Sequence, residues 1–140
     1  MRDMIQRDEV FQDTMIPWLN KRILVVDDSQ TMRMLLLFHI LKMMPGVRVV
    51  EAVNGAHALE KLKHLDVDLI LTDMNMPELD GAGLISAVRQ ELKLDTPIII
   101  ITTKGKRHDR ERGMELGANG YITKPIDVRH FRELIGKYIF

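Results

Sequence analysis

Short apolar runs rich in β-branched residues alternate five times with longer segments of helical periodicity, and this alternation restricts the fold more than any other feature. The runs are residues 23–26, 47–53, 67–74, 97–103 and 120–124. Nearly uninterrupted apolar strands need cover on both faces, so strands that alternate with helices favour a parallel sheet with helices on either side. We therefore predict an α/β fold: a doubly wound, five-stranded parallel sheet.

Caps and breakers separate the helical segments from the strands. The predicted helices occupy residues 29–44, 54–65, 81–94, 105–117 and 127–140. Ser29 and Asn54 are typical N-caps for the first two helices, and the Pro45-Gly46 pair should end the first. On the last helix, residues spaced three and four apart form an apolar stripe: Val128, Phe131, Leu134, Ile135 and Tyr138.

The composition excludes several functional classes. The 140 residues include 20 basic and 20 acidic side chains, so no net charge attracts nucleic acid or an anionic membrane. The chain has no cysteine, no apolar run approaches the length of a membrane span, and the first residues are too charged for a signal peptide. We therefore expect one compact cytoplasmic domain that binds neither nucleic acid nor membrane.

Polar side chains stand at the ends of four of the five apolar runs. They are Asp27 and Asp28 at the first run, Asp73 at the third, Thr102 and Thr103 at the fourth, and Lys124 at the fifth. Each residue alone would usually be a turn residue, a helix cap or a solvated charge. Sites in parallel sheets lie at the carboxyl ends of the strands, where these residues would converge. Three carboxylates there predict a site for a hard divalent cation such as Mg²⁺, which leaves room for phosphate oxygens.

Four motifs at these strand ends carry a resemblance to a known family. They are VVDDS (25–29), LILTDMNMP (69–77), IIIITT (98–103) and YITKP (121–125). With them, residues 21–140 resemble the receiver domain of response regulators in bacterial two-component systems, and the DDSQTMRMLL stretch looks like chemotaxis-type single-domain regulators. The resemblance implies a flavodoxin-like strand order, 2-1-3-4-5. It also implies a signalling switch that phosphorylation activates.

The resemblance gives the strand-end residues roles in phosphoryl transfer. Asp73 would accept the phosphoryl group from a phosphohistidine on a sensor histidine kinase or a phosphotransfer protein. Asp28 would bind Mg²⁺ directly and Asp27 mostly through water, with Asp73 and the backbone carbonyl of Asn75 as further ligands. Lys124 would pair with the phosphoryl group. The chemistry agrees, because a carboxylate attacks a phosphoryl group only where cations and donors offset their repulsion.

Other positions would transmit or tune the signal in such a receiver. Thr102 matches the hydroxyl that moves to the phosphoryl group, and Tyr121 matches the aromatic switch residue. The Lys124–Pro125 peptide bond is expected to be cis. The positions that would modulate phosphoryl turnover are Thr103, Lys104 and Asn75. A downstream protein would dock on the face formed by the fourth helix, the fifth strand and the fifth helix.

Several alternatives stay open from the sequence. A haloacid-dehalogenase-like, Mg²⁺-dependent phosphatase also joins Asp, Thr and Lys on an α/β sheet, but its nucleophile follows the first strand in a DxD pattern, where this chain has DD. A receiver relative that serves only as an interaction module would not need the complete motif set. A receiver fragment of a larger regulator would look identical, since no output domain precedes Phe140. We expect a phosphoacceptor signalling protein rather than an enzyme that turns over a substrate.

Residues 1–20 lie outside the resemblance. Their apolar residues outline a weak amphipathic helix that Pro17 would stop: Met4, Ile5, Val10, Phe11, Met15 and Ile16. This segment could cap the domain or pair two copies of it, and disorder is the simpler alternative. We therefore divide the chain into an N-terminal extension, 1–20, and a receiver domain, 21–140.

Overall fold

Strand and helix alternate five times along the chain, as predicted, in a computed structural model that describes residues 16–103 and 105–140. The strands are β1 (Arg22–Val26), β2 (Arg48–Ala52), β3 (Leu69–Asp73), β4 (Ile98–Thr103) and β5 (Gly120–Lys124). The helices are α1 (Gln30–Met43), α2 (Gly55–Leu62), α3 (Gly81–Gln90), α4 (Arg107–Leu116) and α5 (Val128–Ile139). The structure therefore confirms the predicted α/β class.

The five strands form one parallel sheet in the order β2-β1-β3-β4-β5, which confirms the order that the resemblance implies. β2 lies on one side of β1 and β3 lies on the other side, so the strand order reverses between β1 and β3. In the register, Val26 pairs with Thr72 and Thr103 pairs with Lys124. The carboxyl ends of the strands thus meet at one edge of the sheet, where such folds hold their sites.

Helices cover both faces of the sheet, because the strands bury side chains on both. On one face, α1 and α5 pack against β1, β3, β4 and β5 through Leu36, Ile40, Phe131 and Ile135. On the other face, α2 and α3 contribute Leu62, Leu84, Ile85 and Val88. Phe131 is the largest fully buried side chain, so its truncation to alanine should cost about 3–5 kcal/mol of stability. Two such layers hold the strand ends rigidly.

Side-chain caps determine where several helices begin. Ser29 and Asn54 each accept a hydrogen bond from a backbone N–H three residues further on, at 3.2 and 2.8 Å, which confirms both predicted caps. Asp80 and Asp127 cap α3 and α5. α1 ends before Pro45 and Gly46 as predicted, and the glycine has a φ of +86°, a conformation it adopts without strain. The cap at position 29 starts α1 directly after the aspartate pair.

Some local predictions are wrong. α3 ends at Gln90 rather than at residue 94, because the chain turns away through Lys93, which has a φ of +54°. α2 ends at Leu62 rather than at residue 65. Val128 is exposed because it follows the cap of α5 before the helix reaches the sheet, and Ile139 joins the buried stripe instead.

The last residues of the N-terminal extension pack against the domain. Backbone hydrogen bonds from Leu19 N–H to Ile16 O (3.2 Å) and from Lys21 N–H to Trp18 O (2.9 Å) fold residues 16–20 into turns. The Trp18 indole donates to the carbonyl of Pro45 at 2.8 Å. The rest of the predicted extension, residues 1–15, lies outside the described residues. Within the described ranges, no helix has both the length and the hydrophobicity to cross a membrane.

Candidate functional site

Three carboxylates converge where the strand order reverses. Asp27 and Asp28 directly follow β1, and Asp73 is the last residue of β3. Because β1 and β3 are neighbours in register, their following residues reach the same edge. Each of the three offers a carboxylate oxygen, and these oxygens lie within 4.8 Å of one another. The structure thus brings together the acidic residues that the sequence predicts.

Asp27 is the most deeply buried member of the cluster, with 1% of its surface exposed. Its Oδ1 accepts a hydrogen bond from the backbone N–H of Ser29 at 2.8 Å. Its Oδ2 is buried and accepts none from the described residues. Burial raises the pKa of Asp27, and the N–H of Ser29 and the charge of Lys124 only partly offset this. An ionised carboxylate is therefore unfavourable here unless a cation approaches it.

Asp73 is partly buried but reachable, since 13% of its side chain is exposed. Its Oδ1 accepts a hydrogen bond from the backbone N–H of Met74 at 2.8 Å. Burial raises the pKa of Asp73, the Lys124 charge counteracts that rise, and the Asp27 charge adds to it. Asp28, in contrast, is exposed at the opening of the cluster.

Lys124 lies close to the carboxylates of both Asp27 and Asp73. Its Nζ is 3.7 Å from Oδ2 of Asp27 and 3.9 Å from Oδ1 of Asp73. Both distances exceed the length of a hydrogen bond, so the ammonium offsets the two charges without donating to either oxygen. The Lys124–Pro125 peptide bond is cis, as the resemblance implies. One ammonium therefore faces two carboxylates and leaves a net negative site.

The signal-transmitting positions predicted from the resemblance differ in their surroundings. Thr102 is fully buried, and its hydroxyl lies 3.5 Å from the carbonyl of Thr103, at the limit of hydrogen bonding. Thr103 is exposed, whereas Lys104 lies outside the described residues. Tyr121 is exposed, and the guanidinium of Arg110 lies over its ring, 4.9 Å from the centroid. The hydroxyl of Thr102 is thus held only weakly by its surroundings.

Sequence reasoning missed polar contacts around the site. Arg33 donates from Nη1 to the carbonyl of Asp27 at 2.7 Å and from Nε to Glu51 at 3.2 Å, and these bonds stabilise the turn after β1. Its position one turn after the Ser29 cap could have suggested this contact. The exposed Asn75 donates from Nδ2 to Asp109 of α4 at 3.2 Å, a contact between separate elements that the sequence gives no signal for.

The cluster has the chemistry of a site for a hard divalent cation. Such cations prefer carboxylate and carbonyl oxygens, and Mg²⁺ commonly uses one or two carboxylates and keeps several waters. The buried Oδ2 of Asp27, which lacks a donor among the described residues, is the observation that fits a cation best. Lys124 offsets only part of the negative charge, so an acidic pocket remains for a metal.

Comparisons with known proteins place this geometry in a family. The family model for the response regulator receiver domain matches residues 23–136. The chain is 40% identical over 111 residues to the alkaline phosphatase synthesis transcriptional regulatory protein PhoP of Bacillus subtilis, covering 79% of this chain. It is also 40% identical over 114 residues to a chemotaxis protein CheY homolog of Campylobacter jejuni, covering 80% of this chain and 87% of that protein. The match spans 45% of PhoP, which is less than half of that regulator.

A solved structure shares the fold. The receiver domain of a sensor histidine kinase from Pseudomonas aeruginosa PAO1 matches with a TM-score of 0.76 at 28% identity, over 85% of this chain and 97% of that one. A magnesium ion is coordinated in the active site cleft of that protein.

Fold, site and comparisons together define a signalling switch that phosphorylation activates, built on a flavodoxin-like sheet. The chain belongs to the response regulator receiver domain family. The comparisons do not favour the phosphatase alternative, since the family match runs through all five strands and β1 is followed by an adjacent aspartate pair rather than a DxD motif.

Proposed function

We propose that Asp73 accepts the phosphoryl group, and that residues 21–140 form the receiver domain with residues 1–20 as its extension. The ammonium of Lys124 between Asp27 and Asp73 is the observation that carries this proposal. Of the three clustered carboxylates, Asp73 combines partial exposure with a nearby cation and a neighbouring aspartate pair. Asp27 is too buried to reach a donor protein, and Asp28 is not paired with Lys124.

In the proposed reaction, a carboxylate oxygen of Asp73 attacks the phosphorus of a phosphohistidine. The new P–O bond forms as the P–N bond breaks, and the electron pair stays on the imidazole nitrogen, which takes up a proton. Lys124 supports this step because its charge opposes the rise in the pKa of Asp73 and so favours the ionised nucleophile. The phosphoryl group brings about two negative charges, which the same ammonium can attract.

We propose Mg²⁺ as the cation of the acidic pocket, with Asp28 as a direct ligand and Asp27 acting mostly through water. Asp73 and the backbone carbonyl of Asn75 complete the proposed protein ligands. When bound, Mg²⁺ would neutralise negative charge on the phosphoryl oxygens. The unpartnered oxygen of Asp27 supports a cation here, because burial without one is costly for a charged group.

We propose that Thr102 and Tyr121 convert phosphorylation into a change at the face formed by α4, β5 and α5. The Thr102 hydroxyl has only a 3.5 Å contact to give up, so it can move to the phosphoryl oxygens at little cost. Tyr121 would respond by leaving its place beneath Arg110. Thr103, Lys104 and Asn75 are the positions proposed to modulate turnover.

The proposed donor is a sensor histidine kinase or a phosphotransfer protein, and the proposed receiver of the signal is a protein that docks on the α4, β5 and α5 face. The chain would act in the cytoplasm, as a phosphoacceptor that catalyses only reactions of its own aspartate. The match covers most of the length of the chemotaxis relative, and this supports the proposal that the receiver signals by docking.

The acceptor is tested with Mg²⁺, acetyl phosphate and intact-mass measurement. The wild-type protein should gain the mass of one phosphoryl group, and Asp73→Asn should gain none. Asp80→Asn is the matched control, because Asn can keep the cap of α3, and it should be labelled like the wild type. Equal labelling of Asp73→Asn would overturn the assignment, and continued turnover of the donor without labelling would favour a phosphatase.

The switch is tested by the NMR signals of the Tyr121 ring before and after phosphorylation. Thr102→Ala should still be labelled, since its hydroxyl takes no part in the transfer, but the Tyr121 signals should no longer shift. Thr103→Ala is the control and should keep the shift, because its side chain is exposed. A full shift in Thr102→Ala would refute the proposed coupling.

A further inference from the structure

The outer face of α1 exposes a row of large apolar side chains. Met34 and Phe38 are 61% and 58% exposed, and Leu35 and Leu41 are exposed beside them. Spacings of three and four residues put Met34, Phe38 and Leu41 on one side of the helix. A contiguous row of large exposed apolar side chains is typical of a surface that another segment or protein covers. We call these four residues the α1 outer face.

The N-terminal extension joins the domain at the carboxyl end of the same helix. The Trp18 indole donates to the carbonyl of Pro45, two residues after α1, and the Trp18 ring lies 5.9 Å from the ring of Phe140. Leu19 packs close to Gly46. Residues 1–15 are therefore tethered, through the turn at residues 16–20, to one end of the α1 outer face.

The extension matches this face in length, pattern and charge. As a helix, 15 residues would span about 22 Å, and the 14 residues of α1 span about 21 Å. Met4, Phe11 and Met15 fall on one helical side at spacings of seven and four residues. The sequence of α1 has basic but no acidic residues, whereas residues 1–15 hold two basic and four acidic ones: Arg2, Arg7, Asp3, Asp8, Glu9 and Asp13.

We propose that residues 1–15 dock along the α1 outer face, running back from its carboxyl end. A second copy of the chain could offer the same residues, but the tether gives the chain's own segment an effective concentration of about millimolar order, which favours the intramolecular contact. The Lys42 ammonium, 5.7 Å from the centroid of the Phe38 ring, borders the face and would attract the acidic side chains of the segment. In the proposed arrangement, residues 1–15 would cover α1 from outside.

Disulfide cross-linking can test this docking, since the chain contains no cysteine that would interfere. Three double variants combine Phe11→Cys with a cysteine at Met34, Phe38 or Leu41. The matched control pairs Phe11→Cys with Met114→Cys, an exposed methionine on α4. In a glutathione redox buffer, at least one of the three pairs should form the intramolecular disulfide about tenfold more readily than the control. Equal formation in all pairs, or disulfides only between two chains, would overturn the proposal.

Trypsin cleavage after Arg7 gives a second measure in the full-length protein without added thiols. Phe38→Glu should speed this cleavage about tenfold, because cleavage follows the population of the undocked segment. Met114→Glu introduces the same charge at another exposed apolar site and should leave the rate unchanged. Equal rates in the wild type and in Phe38→Glu would show that the α1 outer face does not hold the segment.

Discussion

At the amino ends of β4 and β5, Asn119 and Arg89 pair with each other and with backbone groups, whereas at the carboxyl end of β1 a buried oxygen of Asp27 accepts no hydrogen bond from the described residues. Asn119 accepts hydrogen bonds from the N–H of Ile98 at 2.9 Å and from the guanidinium of Arg89 at 3.0 Å. Arg89 also donates to the carbonyls of Leu94 and Gly117, at 2.7 and 3.1 Å. Asn119 itself is exposed, but the residue whose N–H it accepts, Ile98, is buried, and a buried N–H costs little when it is paired, so this end of the sheet stabilises the fold.

The carboxyl end shows the opposite arrangement. Asp27 and Asp73 are partly desolvated, burial raises both pKa values, and one ammonium serves both carboxylates. Oδ2 of Asp27 stays without a hydrogen-bond donor in the described part of the chain. Functional sites are commonly less stable than the rest of a fold, because polar groups that are already paired are not free to bind a ligand. The two ends therefore should respond in opposite directions to mutation and to metal.

The largest expected effect is stabilisation by Mg²⁺ at the carboxyl end. Because the ion binds the folded site and hardly binds the unfolded chain, it should add about 2.7 kcal/mol at a concentration one hundred times its dissociation constant. Asp28→Asn should lose most of this gain, while melting at or above the wild type in chelator, since one of three like charges is gone. Thermal melts with chelator and with Mg²⁺ measure both. A variant that is clearly less stable in chelator, or gains as much from Mg²⁺, would make Asp28 a structural residue.

The next largest effect is expected at the amino end. Asn119→Ala removes the acceptor for the N–H of Ile98 and for the Arg89 guanidinium, so the free energy of unfolding should fall by about 1–3 kcal/mol. Asn75→Ala is the matched control at the carboxyl end: it loses only an exposed contact to Asp109 and should stay within about 0.5 kcal/mol. Denaturant unfolding in chelator compares the two. Similar losses of unfolding free energy in both variants would contradict the proposed difference between the two ends of the sheet.

How much of this structure the sequence predicts depends on how far apart in the chain the interacting residues lie. Alternating apolar runs predict the elements, and the Ser29 cap is visible because it acts within one turn of helix. Strand order came from the resemblance, since periodicity does not say which strands are neighbours. The end of α3 and the exposure of Val128 were not predicted, because the path of the chain at Lys93 and the place where α5 meets the sheet depend on tertiary structure.

The candidate site likewise has features that the sequence predicts and features that it does not. The strand-end positions of Asp27, Asp73 and Lys124 predict their convergence, because a parallel sheet brings its carboxyl ends together. The sequence does not tell which aspartate is buried, nor that Oδ2 of Asp27 lacks a donor. The contact of Arg110 with Tyr121 joins α4 to β5 and leaves no mark in the local sequence.

A smaller effect on stability is expected when the buried charge of Asp27 is removed. In chelator at neutral pH, Asp27→Asn should be about 0.5–2 kcal/mol more stable than the wild type, because the side chain keeps its acceptor for Ser29 and loses a desolvated charge. The folded-state pKa of Asp27 lies above its ordinary value of 3.8, so the folded protein binds more protons than the unfolded chain between these two values. Metal-free stability of the wild type therefore falls as pH rises through that window.

The pH dependence separates this effect from simple packing. The advantage of Asp27→Asn should be full above the folded-state pKa and should shrink as pH falls through 3.8, because well below 3.8 Asp27 is neutral in both the folded and the unfolded state. The check is the difference in unfolding free energy between the two proteins, measured in chelator across acidic and neutral pH. A difference that does not change with pH would mean that the charge of Asp27 is not what destabilises this end.

The smallest expected effect compares two buried threonines on neighbouring strands. Thr72 donates from its hydroxyl to the carbonyl of Asp73 at 2.9 Å, whereas the hydroxyl of Thr102 has only the 3.5 Å contact to Thr103. Replacing either by the isosteric valine keeps the volume and removes one hydroxyl. Thr72→Val should cost about 1 kcal/mol because a hydrogen bond is lost, and Thr102→Val should be neutral or slightly stabilising, because a poorly paired hydroxyl leaves the core. Denaturant unfolding of both variants in chelator resolves the difference. An equal loss in Thr102→Val would mean that its hydroxyl is as firmly held as that of Thr72, and the low cost proposed for its movement toward the phosphoryl group would have to be abandoned.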